Sequence, residues 1–210
     1  CSSDLIDTRA MGRPRPGLEV RVVDENNIDV PIGTPGEMIV RHSAETPRRH
    51  AFSGYLNLPE ETEKSWLGGW FHTGDTVTQD ESGMLYFVDR KKNIIRRSGE
   101  NIAAAEIEAC LQPLDEVDSI AVMPIEDELR DEEVLACIVA NCTADSALAQ
   151  RLFNHCFEHL AYFKAPGWIL FLDAIPVTGT QKIQKHMIFE PNEDPRQRPD
   201  IHDFRHLKRR

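Results

Sequence analysis

Three stretches of the 210-residue chain carry side chains suited to chemistry on a phosphorylated ligand. In the first, Gly68-Gly69-Trp70-Phe71-His72 leads into Thr73-Gly74-Asp75, a pattern that predicts a constrained turn at a strand end with Asp75 on it. An Asx-turn former is the plainer role for that aspartate, at even weight. The second is the cationic elbow Arg90-Lys91-Lys92, and the third is Lys182 in a loop built from Pro176, Thr178, Gly179 and Thr180. A carboxylate can accept bonds from two vicinal ribose hydroxyls. Arginine offers forked donors, and lysine brings a compact charge to a phosphoryl centre as it grows more negative. Such a set suits adenylation, in which a carboxylate attacks the α-phosphate of ATP and pyrophosphate leaves.

Composition narrows the partners. With 40% hydrophobic and 28% charged residues the chain reads as globular. Its formal net charge of -11 argues against nucleic acid or an anionic membrane surface, so an anionic ligand must be held by local cations. No apolar run approaches the ~20 residues that cross a bilayer, and no signal peptide opens the chain. The five cysteines (Cys1, Cys110, Cys137, Cys142, Cys156) are odd in number and scattered, without Cys-x-x-Cys spacing. Buried free thiols and a reducing, cytoplasmic compartment are therefore favoured over disulfides or structural zinc.

The positioning elements follow from pattern. Alternation predicts strands at 18–24 and 38–41, too few to bury themselves, hence part of a larger body. Pro59 with acids in the first turn starts a short helix. An apolar strand at 85–88, the charged elbow, a second short strand at 93–96, the tight Ser98-Gly99 and a helix at 103–111 halted by Pro113 follow. Two strands joined by a stiff basic elbow, then a glycine ahead of a helix, suit a lobe that swings beside a phosphate ligand. Strands are predicted at 120–124, 134–140 and 168–172, and a helix at 144–160. The acidic run 126–133 reads as a solvated loop rather than a metal site, and His155 and His159 as a solvated face rather than a zinc pair. Residues 191–210, rich in proline and charge, read as an extended appendage.

Several ordered motifs together resemble the adenylate-forming superfamily of acyl-CoA synthetases, peptide-synthetase adenylation domains and firefly luciferase. They are Gly-Trp-Phe-His-Thr-Gly-Asp at 69–75, Tyr-Phe-Val-Asp-Arg-Lys-Lys-Asn-Ile-Ile at 86–95, Ser-Gly-Glu-Asn-Ile at 98–102 and Glu-Ile-Glu at 106–108. Tyr-Phe-Lys-Ala-Pro at 162–166 and Pro-Val-Thr-Gly-Thr-Gln-Lys-Ile-Gln-Lys at 176–185 complete the series. The resemblance covers nearly everything except the tail. It implies an α+β fold: residues 1–89 ending a large N-terminal lobe as an antiparallel β piece, 90–190 forming a small mobile domain of short central sheet and flanking helices, and 191–210 a charged tail. It further implies that Asp75 and Arg90 hold the ribose of ATP or of the acyl-adenylate, that Lys92 is the hinge, and that Lys182 is the adenylation lysine. Gly99 would lie where the pantetheine arm of coenzyme A passes, at a point a side chain would obstruct. Arg96 and Arg97 would meet the phosphates of coenzyme A, with an exposed basic strand as the equal alternative. The substrates would be a small carboxylic acid, ATP with Mg2+ and coenzyme A, with no tightly bound cofactor and no protein-held metal.

The family's phosphate loop and its aromatic-Gly-x-Thr-Glu motif are missing, so the sequence reads as the C-terminal portion of a longer enzyme, inactive alone. Gln181 stands where the family commonly has glycine. Short strings such as Leu-Arg-Asp-Glu-Glu at 129–133 are most similar to the crotonobetaine/carnitine-CoA ligase group. Two other readings stay open: an adenylating enzyme that loads a carrier protein, and a non-catalytic nucleotide-binding or interaction module. A basic patch for coenzyme A around Arg96 and Arg97 argues against the first, and a pure scaffold would need none of Asp75, Arg90 and Lys182.

Overall fold

The structure is a computed structural model that describes residues 10–208. The chain divides into two compact units, Cys1–Lys92 and Asn93–Arg210.

The first unit is an antiparallel sheet. Its elements are β1 (Ala10–Gly12), β2 (Glu19–Val23), β3 (Gly36–Arg41), the helix α1 (Pro59–Lys64), β4 (Trp66–Leu67), β5 (Trp70–Gln79) and β6 (Leu85–Arg90). The strand order is β1-β6-β5-β3-β2, with β4 added beside β5. Alternation places Val22, Val77 and Leu85 on one face as a small apolar cluster, joined by Val20, Val30 and Met38. Proline at its start and Glu60 and Glu61 in its first turn begin α1.

The second unit starts with the hairpin β7 (Ile94–Arg97) and β8 (Glu100–Ala103). Ser98 and Gly99 between them have φ of 50° and 84°, the two positive angles of a type I′ turn. The helix α2 (Ala104–Leu111) follows, then β9 (Val117–Asp127), β10 (Asp131–Ala140), the helix α3 (Ser146–His159), β11 (Trp168–Phe171) and β12 (His202–Asp203). In this sheet the order is β12-β11-β10-β7-β8, and β9 pairs with β10. β10 and β11 are parallel, and α3 supplies the crossover such a pair requires. Asp145 caps α3 by accepting from the Leu148 amide at 2.8 Å. Leu148, Leu152, Phe153 and Cys156 bury its apolar stripe, each aliphatic side chain contributing roughly 1.5–3 kcal/mol.

β10 is covered on both faces. Val134, Ala136 and Ile138 meet α2 and α3. Leu135 and Cys137 meet Trp168, Leu170, Ile188, Phe189 and Ile201. That double burial is why the strand reads as an unbroken apolar run. It also encloses Cys137, whose thiol is pushed up to about 12 by desolvation.

Two expectations fail here. The acidic run is not a free loop. β9 extends to Asp127 and β10 begins at Asp131, so only Glu128-Leu129-Arg130 turn the hairpin. Nor is the tail an appendage. β12 adds to the edge of β11, and Phe204 enters the core and stacks on Phe153 with ring centroids 4.9 Å apart. Composition hid this because one short strand and one aromatic suffice to anchor a polar segment. Among the described residues no helix is long and apolar enough to cross a membrane.

Candidate nucleotide site

In the first unit Asp75 lies within the ten-residue β5 rather than on a terminal turn. Gly74 takes φ +70°, and the register slips between Thr76 and Val77, so the strand kinks where a turn was expected. Asp75 is the register partner of Arg90 at the end of β6, and Arg90 Nη1 stands 2.8 Å from Asp75 Oδ1. The pair is asymmetric. The guanidinium is 52% exposed and the carboxylate 17%, and Oδ1 is enclosed without an aligned hydrogen bond. An enclosed acceptor beside an exposed fork of donors suits a hydroxylated ligand.

Below this pair lies a support that local sequence pattern did not reveal. Glu37 at the start of β3 accepts from Lys91 Nζ at 2.6 Å and His72 Nδ1 at 3.1 Å on Oε2, and from the Gly74 amide at 3.3 Å on Oε1. Burial alone would push this carboxyl up; the Lys91 ammonium and His72 together outweigh it and hold it below its ordinary value. Thr73 Oγ1 donates to the Met38 carbonyl at 2.7 Å and accepts from the Asp75 amide at 3.1 Å. Glu37 and Thr73 thus brace both sides of the Gly74 kink. The middle lysine of the elbow is a structural tie, whereas Lys92 is exposed in the 3-10 turn Lys91–Asn93, and the boundary between the two units falls directly after it.

In the second unit Lys182 sits on a short hairpin loop bridged by Val177 and Ile183. The Thr178 amide donates to the Lys182 carbonyl at 2.8 Å, and the Lys182 amide donates to Thr178 Oγ1 at 3.1 Å. Gln181 takes φ +62°, the conformation for which the resemblance has glycine. The base of the loop is fastened: Lys185 Nζ reaches Glu108 Oε1 at 2.8 Å and donates to the Val122 carbonyl at 2.7 Å. Lys182 itself is exposed, its ammonium unpaired among the described residues, on a backbone held from both sides.

The remaining candidates separate. Gly99 is exposed at the I′ turn, and a Cβ there would meet open space within this unit, so the backbone angle alone requires glycine. Arg96 is exposed, its amide donating to Glu132 Oε2 at 2.7 Å. Arg97 is not a surface cation. It is 2% exposed, and its Nε donates to the fully buried Glu133 at 2.7 Å. The alternation of β7 turns Arg97 inward, so the expected contact with a phosphate of coenzyme A is withdrawn for this residue. His155 and His159 stack at 4.2 Å on α3, and the His159 ring contacts the His155 carbonyl at 2.8 Å. Cys1 lies outside the described residues.

The family model of the AMP-binding enzyme C-terminal domain matches residues 106–182. The chain is similar to the crotonobetaine/carnitine–CoA ligase of Proteus mirabilis, 34% identical over 180 residues that cover 85% of this chain and 34% of that protein. The ligase of the same name from Salmonella typhimurium is likewise 34% identical, covering 84% of this chain and 34% of its own length. The chain thus spans about a third of the length of the curated relatives it matches. Among solved structures it is similar to the o-succinylbenzoate CoA synthetase of Bacillus subtilis in complex with its acyl-adenylate intermediate. That likeness has a TM-score of 0.74 and 26% identity over 92% of this chain and 38% of that one. An amide bond synthetase from Marinactinospora thermotolerans gives a TM-score of 0.66 at 33% identity, over 87% of this chain and 36% of that one.

Proposed function

We propose that this chain is the C-terminal part of an ATP-dependent carboxylic acid–CoA ligase, with crotonobetaine or carnitine as the nearest substrate class. The observation that carries this reading is the pairing of two prepared features: the Asp75–Arg90 pair on a braced kink, and an exposed Lys182 on a loop fastened at its base. In the first half-reaction the acid's carboxylate oxygen attacks the α-phosphorus and the bond to pyrophosphate breaks. Lys182 offers its ammonium where negative charge accumulates between the two reactants. Asp75 accepts from the ribose hydroxyls, and Arg90 contacts the same ribose. In the second half-reaction the thiol of coenzyme A loses its proton, its sulfur attacks the acyl carbonyl, and AMP leaves. Lys92 is the pivot between these steps, and the Ser98–Gly99 turn lies along the path of the pantetheine arm.

Mg2+ would arrive bound to ATP. The likeness to an amide bond synthetase favours, as a second reading, an amine in place of the thiol acceptor; the first half-reaction is common to both. The test is acid-dependent exchange of labelled pyrophosphate into ATP by the parent enzyme, followed by supply of coenzyme A or an amine. Exchange with crotonobetaine or carnitine and release of the acyl-CoA are expected. No exchange with any carboxylic acid would overturn the reading. The 210-residue chain alone should form no acyl-CoA.

A further inference from the structure

The β9–β10 hairpin grips the β7–β8 hairpin residue by residue. The Arg130 carbonyl accepts from the Ser98 amide at 3.0 Å, Glu132 Oε2 from the Arg96 amide at 2.7 Å, and Glu133 Oε2 from Arg97 Nε at 2.7 Å. Three consecutive residues of β7 and its turn are thus held by the stretch 130–133.

The tail grips that same hairpin from the other side. Arg205 Nη1 donates to Asp127 Oδ2 at 2.9 Å, and its guanidinium lies over Trp168 at 4.2 Å. Lys208 carries its ammonium to full burial against Glu133 Oε1, which also accepts from the Val134 amide at 2.8 Å. Gly167 makes room for this carboxylate, since a Cβ there would collide with Glu133 Cγ and Cδ. One carboxylate therefore faces two cations in a dry interior, and Arg97 Nη2 is left without a partner.

Such a cluster is a poor route to stability, because desolvating three charges to satisfy one carboxylate twice costs more than apolar packing would. What it does is fix one arrangement. We propose that Lys208 is a positioning residue: the C-terminal segment is a latch that, through Glu133 and Arg97, sets the Ser98–Gly99 turn for the thioester half-reaction. The latch stands on the contacts above; its consequence for coenzyme A rests on the ligase reading.

Two measurements separate these. In this chain, Lys208→Met leaves the neutral Arg97–Glu133 pair, and hydrogen exchange of amides 96–101 should rise about ten-fold. Exchange in β5 and β6 should be unchanged, and Lys208→Arg should restore protection. In the parent enzyme the same Lys208→Met should raise KM for coenzyme A or slow thioester formation about ten-fold, with adenylate formation within about two-fold. Unaltered exchange at 96–101 would overturn the latch, and equal loss in both half-reactions would overturn its role in thioester formation. A parent enzyme that makes no acyl-CoA at all would count against the ligase reading, while the exchange comparison still decides the latch. Should Lys208→Met fail to fold, Arg205→Gln loosens the same segment at Asp127 and should give the same exchange pattern; no change in that variant would equally overturn the latch.

Discussion

Arg90 and Arg97 lie seven positions apart, each beside a carboxylate, and they have opposite surroundings. Arg90 is half-exposed and stands 2.8 Å from an Asp75 oxygen that accepts no aligned hydrogen bond. Arg97 is sealed against Glu133, with a second cation brought in from the chain terminus. The first arrangement can exchange its internal contact for a ligand at little cost, since exposed ion pairs contribute ~0–1 kcal/mol. The second cannot open without stranding a charge. Proximity of opposite charges marks neither a binding site nor a structural tie; burial decides which it is.

The widest separation between the two pairs should come from deleting each carboxylate. Glu133→Ala strands two buried cations and should destabilise the second unit by about 3–5 kcal/mol in a denaturant titration. Asp75→Asn should alter stability by less than ~1 kcal/mol. It should instead weaken nucleotide binding by the parent enzyme about ten-fold or more, as loss of hydrogen bonds to a charged group does. Comparable stability losses in the two variants would remove the distinction.

The sealed cluster also has a pH signature. Burial lowers the Lys208 ammonium to about 8; Glu133 opposes this, and Arg97 and Arg130 reinforce it. Between about 8 and its ordinary value of 10.5 the unfolded chain binds more protons at this residue than the folded one. Lys208 therefore makes stability rise with pH across that window. Subtracting the profile of Lys208→Met from that of the unsubstituted chain should leave a rising difference from pH 8 upward; a flat difference would place the lysine in water.

Lys92→Pro locks φ between the two units. It should slow thioester formation about ten-fold relative to adenylation, because closure rather than chemistry is being restrained. Equal rates would refute the hinge. The smallest effect is expected at Gln181. Replacing it by glycine relieves ~1–2 kcal/mol of left-handed strain, largely offset by the greater freedom of glycine in the unfolded chain. A net gain of about 0.5 kcal/mol or less should appear in the melting temperature.

Strands β2, β3, β6, β7, β9, β10 and β11, both longer helices and the positions of the candidates Asp75, Arg90 and Lys182 were legible because each has a local signature in apolar periodicity, a Thr-Gly-Asp or a Pro-Val-Thr-Gly-Thr loop, whereas β1, β4, β8, β12 and the full length of β5 were not. What escaped depends on distant partners. Glu133 sits in a run of acids that looks solvated, and only its contacts with Arg97, 36 residues back, and Lys208, 75 residues on, reveal its burial. Glu37 is hidden similarly, since its role comes from Lys91 across 54 residues. Arg97 was misread because strand alternation fixes which of two adjacent arginines faces inward only once the hairpin register is known.

The account turns on one lysine acting in one half-reaction. In the parent enzyme carrying Lys182→Ala, adenylate formation and thioester formation from supplied acyl-adenylate should be timed separately. Adenylation is expected to fall at least 100-fold, in line with ~3 kcal/mol from a lost electrostatic group, while thioester formation stays within about three-fold. Equal losses in both steps, or none in the first, would contradict it.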